Sequence, residues 1–228
     1  MKKPIIAIDG PTGSGKTTIS KKLAKILNYT YIDTGAMYRA FALEVKNKGI
    51  DPDNEELLKD VCSQFNFSFK EGSNGQNIFL SGHDVTEEIR TPEISLLASK
   101  ISAKKIVRDT LLILQRKMGE GGGVVMEGRD IGTVVFPQAD FKFFLKADPK
   151  IRAKRRFKEL KEKGINVSYD QTLKDLNKRD FQDKSRKFAP LTYAPDAIII
   201  DSSNLKVEEV IDRMLKVISK KINMKGDF

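Results

Sequence analysis

The sequence predicts an α/β fold around a mainly parallel sheet with a small antiparallel insert, and three observations lead there. Short apolar runs stop at glycine or aspartate, as strands buried on both faces do. Stretches with apolar residues at helical spacing separate those runs, and one segment alternates with a period of two. At 228 residues the chain has the length of one large domain, or of one domain with an insert. A chain of that size buries roughly 70% of its unfolded surface, so it needs neither metal nor cross-link to fold.

Taken in order, Pro4 to Asp9 is the first buried run and halts at Gly10. From Gly15, Ile19, Leu23, Ile26 and Leu27 share one stripe opposite lysines until Asn28 ends the helix. Tyr29 to Ile32 predicts a second strand closed by Asp33-Thr34-Gly35. Met37, Tyr38, Phe41 and Val45 then predict a second helix that finishes at Gly49. Between about Val61 and Glu88, Phe65, Phe67 and Phe69 alternate with polar residues, Glu71 to Gln76 supplies a turn and Ile78-Phe79-Leu80 a returning strand. The insert is therefore expected at 61–88, with the core over 1–60 and 89–222. Pro92 opens one long helix running to Gly119, and Val124 to Met126 and Phe141 to Leu145 read as strands. Asp148-Pro149 starts a basic helix that ends before Gly164, and Ser168 to Gln171 has capping-box spacing for the next. Ala197 to Ile200 is expected as a last buried strand, followed by a closing helix striped by Val207, Val210, Ile211, Met214, Ile218 and Ile222.

Composition removes several chemistries. The chain has 41 Lys and Arg against 31 Asp and Glu, a formal charge of +10, with one Cys, one His and no Trp. Cys62 and His83 cannot by themselves make a zinc site of the usual kind, and an intrachain disulfide is excluded. A Ser-His-Asp or Cys-His engine would have to rest on His83, which lies in a polar loop. No run approaches the roughly 18 apolar residues of a membrane span, and Asp9 interrupts any signal-like opening, so a cytoplasmic protein is expected. The basic balance suits nucleic acid, and equally an enzyme whose substrates are polyanions.

Gly10-Pro11-Thr12-Gly13-Ser14-Gly15-Lys16-Thr17 fits G-x-x-x-x-G-K-[ST] between a buried strand and an amphipathic helix, the context that the motif requires. Triphosphate oxygens need several donors at short range, which glycines permit by letting backbone amides turn inward, while the helix start adds positive potential. Lys16 reaches the β- and γ-phosphates in such a loop. The Thr17 hydroxyl faces Mg²⁺, with Thr18 near enough in sequence to be the alternative. Asn177-Lys178-Arg179-Asp180 matches a guanine-reading motif but lies on a charged helical stretch rather than at a strand end. A motor ATPase would end an apolar strand in Asp-Glu, and none does. What remains is arginine placed for phosphate, since its fork binds phosphate bidentately: Arg39 in Asp33-Thr34-Gly35-Ala36-Met37-Tyr38-Arg39, and Arg129 in Glu127-Gly128-Arg129-Asp130-Ile131-Gly132-Thr133. Both segments follow strands, where an open parallel sheet builds its ligand crevice.

GPTGSGKTT, DTGAMYR, EGRDIGTVVFP and RDFQDKSR with the following AP together resemble the bacterial cytidylate kinases of the nucleoside-monophosphate kinase group, from about Lys3 to Ile222. The resemblance implies a three-layer P-loop kinase core, an acceptor-side insert, a helical lid over about 150–187, and a monomer. It also implies transfer of the γ-phosphoryl group of ATP, bound through Gly10 to Thr18, to CMP or dCMP. It places Ser99, Arg108 and Asp130 on cytosine, Thr34 and Arg39 on the acceptor phosphate with Arg129 and Arg186, and Arg179 and Asp183 on the sugar. Thr17 stands where many members have Gly before the Thr that here is Thr18, and Thr34 where some have Ser; a hydroxyl remains at Thr18 and at Thr34.

The base assignment also makes chemical sense. Cytosine presents an amino donor beside acceptors, so Asp130 can accept while Arg108 and Ser99 donate; uracil would set O4 against the carboxylate. For catalysis, Lys16 and lid arginines would surround the transferring group, with Arg152, Arg155 and Arg156 as equal candidates. Residues 142–187 carry 16 Lys and Arg against 7 Asp and Glu, so nearly all the excess charge lies in one segment. That favours a lid and acceptor wall around nucleotides. The alternatives are a nucleic-acid-associated ATPase, and a kinase of another small acceptor such as thymidylate or shikimate.

Overall fold

The computed structural model describes residues 2–72 and 75–225. Strand β1 (Ile5–Asp9) is buried from Ile6 onward and forms the centre of a five-stranded sheet. It pairs in parallel with β6 (Val124–Gly128) on one side and β7 (Phe141–Lys146) on the other. The order is β2-β6-β1-β7-β8, with β2 (Thr30–Asp33) and β8 (Ile198–Asp201) at the edges. The register sets Ile8 opposite Glu127 and Asp9 opposite Gly128, so β1 and β6 end level and the segments that follow them start side by side.

Two compact units divide the chain: residues up to 32, 119–184 and from 189 onward form the first, and 33–118 with 185–188 the second. In the first, α1 (Lys16–Leu27) and α8 (Val207–Lys225) pack Ile19, Leu23, Met214 and Ile218 onto Ile6, Ile8, Phe141 and Phe143 of the sheet. Helix α1 ends at Asn28, whose positive φ of 53° closes the turn as a left-handed cap. Helix α6 (Pro149–Glu162) begins as its sequence announces, with the Asp148 carboxylate accepting from the amides of Lys150 and Ile151. Helix α7 (Tyr169–Ser185) follows it, and Ser168 accepts from the Gln171 amide at its start.

The second unit has its own core, in which α2 (Thr34–Asn47) buries Met37, Phe41 and Val45 against α3 (Glu55–Gln64), α4 (Pro92–Ile101) and α5 (Lys105–Gly119). An antiparallel sheet of β3 (Phe67–Gly72), β4 (Gly75–Leu80) and β5 (His83–Asp84) completes it. The alternating phenylalanines bind the sheet to the helices through a run of rings, Phe41 to Phe65 at 5.1 Å, Phe65 to Phe67 at 5.9 Å and Phe67 to Phe69 at 4.7 Å. The turn expected at 71–76 includes Ser73 and Asn74, which lie outside the described residues.

Three expectations about elements are corrected. The stretch 61–64 is helical, the last turn of α3. The long helix from Pro92 to Gly119 is two helices, broken at Ser102. There the Ser102 hydroxyl donates to the Ser99 carbonyl, and its own carbonyl accepts from the Arg108 guanidinium, so local side-chain contacts take the place of the next helical turn. Strand β8 is buried only in part: Ile200 joins the core at 5% exposure, but Ile198 and Ile199 are 40% and 43% exposed, because an edge strand is less covered than a central one. Phe143→Ala, in the middle of the first core, is therefore expected to cost about 3–5 kcal/mol in chemical denaturation. Ile199→Ala is expected to cost less than about 1 kcal/mol, and similar losses at the two positions would contradict this burial difference.

Candidate active site

In the first unit, the loop after β1 turns through three glycines of positive φ: Gly10 at 149°, Gly13 at 76° and Gly15 at 93°. Two of them also give their Cβ position to neighbouring backbone. A Cβ on Gly10 would lie 2.1 Å from the Leu145 carbonyl oxygen, and one on Gly13 would lie 2.9 Å from that of Arg152. Lys16, at the first position of α1, is 5% exposed and folds back to donate to the Pro11 carbonyl at 2.8 Å. Burial, and next to it the Arg129 guanidinium, push its ammonium down to about 7. The Ser14 hydroxyl is buried without a hydrogen-bond partner inside this glycine-rich loop.

Two arginines hold this loop at Thr12. Arg129, just beyond β6, donates from Nη2 to the Thr12 hydroxyl and from Nε to Asp183, both at 2.8 Å. Arg152, on α6, donates from Nη1 to the Thr12 carbonyl at 3.0 Å and pairs through Nη2 with Asp180 at 2.7 Å. Asp180 and Asp183 lie on the same stripe of α7 as Leu176, which is why two carboxylates are buried on a mostly charged helix. Burial acts against the Arg129 charge, but Asp183 together with Glu127 and Asp180 outweighs it and raises the pKa above the usual arginine value. Beside them Glu127 is buried and accepts from the Tyr31 hydroxyl.

Arg129 and Asp130 lead into a single turn of π-helix, Ile131–Val135. The Asp9 carboxylate reaches across from β1 to its first two amides, accepting from Ile131 and Gly132 at 2.8 Å each. Burial, opposed by those two bonds, pushes the Asp9 carboxyl up to about 7.

In the second unit, Asp33 caps α2, accepting from the Ala36 amide at 3.0 Å, and its other oxygen pairs with Arg39 at 2.9 Å. A Cβ on Gly35 would lie 3.0 Å from both Arg39 Nη1 and Asp33 Oδ1, so the D-T-G-x-x-x-R spacing exists to let that pair close over the backbone. Thr34 is buried at the start of α2. The break between α4 and α5 gathers Ser99, Arg108 and Arg186: Arg108 donates to the Ser102 carbonyl at 3.1 Å, Arg186 to its hydroxyl at 3.4 Å, and Tyr38 lies under the Arg108 guanidinium at 5.7 Å.

The first unit thus brings together the phosphate loop, Arg129, Asp130 and Asp183, with Arg179 beside Asp180 on α7. Arg155 and Arg156 do not join them here. Arg155 donates to the Ser202 hydroxyl and carbonyl, and Arg156 pairs with Glu159 on its own helix. Asp9, Ser102 and Asp180 escaped the sequence reading; Asp9 stood at the end of the first apolar run and Asp180 inside the R-D-F-Q-D-K-S-R segment, whereas nothing marked Ser102. Thr17 and Thr18 are both exposed at the start of α1. Among the described residues no cluster of acidic, His and Cys side chains could cage a metal. The exposed Thr17 and Thr18 beside the loop fit a hard cation such as Mg²⁺, which takes oxygen donors, with phosphates as its main ligands.

A polyanion in this loop would draw the Lys16 ammonium back to its charged form, reversing a displacement to about 7. At pH ~8, above that value, binding a nucleoside triphosphate is therefore expected to take up a proton, with affinity falling as pH rises further. Calorimetry in two buffers of different ionisation enthalpy measures the uptake; none at that pH would contradict this reading of Lys16.

The profile of the cytidylate kinase family matches residues 6–220. The chain is 52% identical over 214 residues to the cytidylate kinase of Geobacter sulfurreducens, across 94% of this chain and 92% of that protein. It is 50% identical over 217 residues to the cytidylate kinase of Syntrophotalea carbinolica, across 95% and 92%. With the cytidylate kinase of Caldanaerobacter subterraneus subsp. tengcongensis it shares 50% over 222 residues, across 97% and 96%. With a phosphate loop and an E-G-R-D turn leaving adjacent strands at one level, and half of its residues shared over nearly the whole length, the chain belongs to the cytidylate kinase family.

Proposed function

We propose that the chain transfers the γ-phosphoryl group of ATP to CMP or dCMP, forming CDP or dCDP and ADP. The observation that carries this reading is the Arg129 bridge: one guanidinium joins the glycine-rich loop at Thr12 to Asp183 on α7, the carboxylate that we assign to the acceptor's sugar. Family membership supplies the acceptor class.

The attacking atom is an acceptor phosphate oxygen, already ionised near neutral pH, so no strong general base is needed. The protein's task is to align two polyanions and offset their charge. The loop amides and the start of α1 hold the donor phosphates, and Lys16 exchanges its Pro11 carbonyl for the β- and γ-oxygens. Thr17, with Thr18 as the neighbouring alternative, would hold Mg²⁺, which when bound supplies charge neutralisation on those oxygens. Thr34, Arg39, Arg129 and Arg186 take the acceptor phosphate, Arg179 and Asp183 the sugar, and Ser99, Arg108 and Asp130 the base.

We read 61–88 as the acceptor-side insert and about 150–187 as a lid that keeps water from the transferring group. Arg155 and Arg156 act catalytically in that reading only by leaving Ser202 and Glu159, whereas Arg152 is already on the loop. We take the working state to be a cytoplasmic monomer acting on free nucleotides.

ADP release measured across CMP, dCMP, UMP, AMP and TMP is expected to favour the first two; no preference for them would contradict the function. Asp130→Ala is expected to lower kcat/KM for CMP by about 10- to 100-fold while leaving the KM for ATP nearly unchanged, because it removes one buried acceptor worth ~1–3 kcal/mol. Single alanine replacements of Arg152, Arg155 and Arg156 should lower turnover and leave CMP binding intact, and a uniform loss of CMP binding would count against a lid role.

A further inference from the structure

A helix start leaves its first amides without partners inside the helix, and an aspartate at the cap position ordinarily supplies the acceptor from its own side chain. Asp130 holds that position on the π-helical turn Ile131–Val135, yet its side chain makes no cap bond. Its main-chain carbonyl accepts from the amides of Val134 and Val135, while the open amides of Ile131 and Gly132 are taken by Asp9. The cap therefore comes from a different strand. Asp9 is rigidly placed for this, being 5% exposed at the end of the central strand and level with Gly128. The turn is backed on its other side by Lys142, which is anchored by the Pro137 carbonyl and Asp196, and the Cβ position of Gly132 lies 3.2 Å from the Lys142 side chain and 3.5 Å from Asp9 Oδ2.

We infer that Asp9 is a positioning residue for base selection: by capping the 131–135 turn in place of Asp130, it keeps the Asp130 carboxylate for the acceptor's base. The inference rests on the base-reading role proposed above for Asp130. Without Asp9, the amides of Ile131 and Gly132 would be buried without these acceptors, and an aspartate at the cap position, here Asp130, is the residue type that ordinarily supplies one. Its carboxylate would turn from base to backbone, and discrimination between an amino group and a carbonyl on the pyrimidine would weaken. Asp9→Asn keeps one carbonyl oxygen for one amide but sets an amino group against the other.

The test compares kcat/KM for CMP and for UMP in the full-length wild type and in Asp9→Ala, Asp9→Asn and Asp130→Ala. The ratio is taken on one protein sample at one ATP concentration, so partial unfolding or weaker ATP binding cancels from it. Asp9→Ala is expected to lower the CMP-to-UMP ratio about tenfold or more, and Asp9→Asn by less. An unchanged ratio in Asp9→Ala beside a collapsed ratio in Asp130→Ala would overturn the positioning role alone. An unchanged ratio in Asp130→Ala would overturn the base assignment, and this inference with it.

Discussion

The level ends of β1 and β6 are the constraint from which the site's geometry follows. Because Asp9 sits opposite Gly128, the phosphate loop and the E-G-R-D turn leave the sheet as neighbours, each within reach of the other's side chains. Asp9 can then bond the turn after β6, and Arg129 can bond the loop after β1. The contacts run in both directions across one strand pair. A one-residue slip in that register would turn every side chain of a strand to the opposite face of the sheet, and both bonds would be lost together.

Around that pair the buried charges come in matched sets. Arg129 with Asp183 and Arg152 with Asp180 join the loop at Thr12 to one stripe of α7. Buried ion pairs add little net stability, since desolvation offsets most of the attraction, so their presence here is better explained by preorganisation. An arginine already dehydrated, and oriented by a carboxylate, can meet a phosphate with little further reorganisation. The carboxylates also limit how much positive charge accumulates before substrate arrives, in a stretch where 16 basic residues face 7 acidic ones. The basic excess seen in the sequence is thus largely solvent-facing, while the buried Lys142 and Arg152 within it are paired with carboxylates.

What the sequence made legible was local. The phosphate loop could be read because glycine spacing, a preceding apolar run and a following helical stripe all lie within a few residues of one another. The cap at Asp148 and the D-T-G-x-x-x-R unit were legible for the same reason. The break at Ser102 was hidden because Ile94, Leu97, Ile101, Val107 and Leu111 keep near-helical spacing across it, and no glycine or proline marks it; guanidinium contacts do, one from Arg108 nearby and one from the remote Arg186. Ala197 to Ile200 resembles the interior strands, and only sheet order exposes it. Arg152, Arg155 and Arg156 could not be told apart because helical geometry aims them in different directions, to Thr12, Ser202 and Glu159 respectively. Asp9 read as the end of a strand, since its partners lie more than a hundred residues away.

A crystal structure with CMP and a non-hydrolysable ATP analogue tests the central claim most directly. The account expects the cytosine amino group to lie about 3 Å from an Asp130 carboxylate oxygen, with the triphosphate in the loop from Gly10 to Thr17 and Asp9 still bonded to Ile131 and Gly132. A base bound away from Asp130, with its amino group met by other residues, would contradict it.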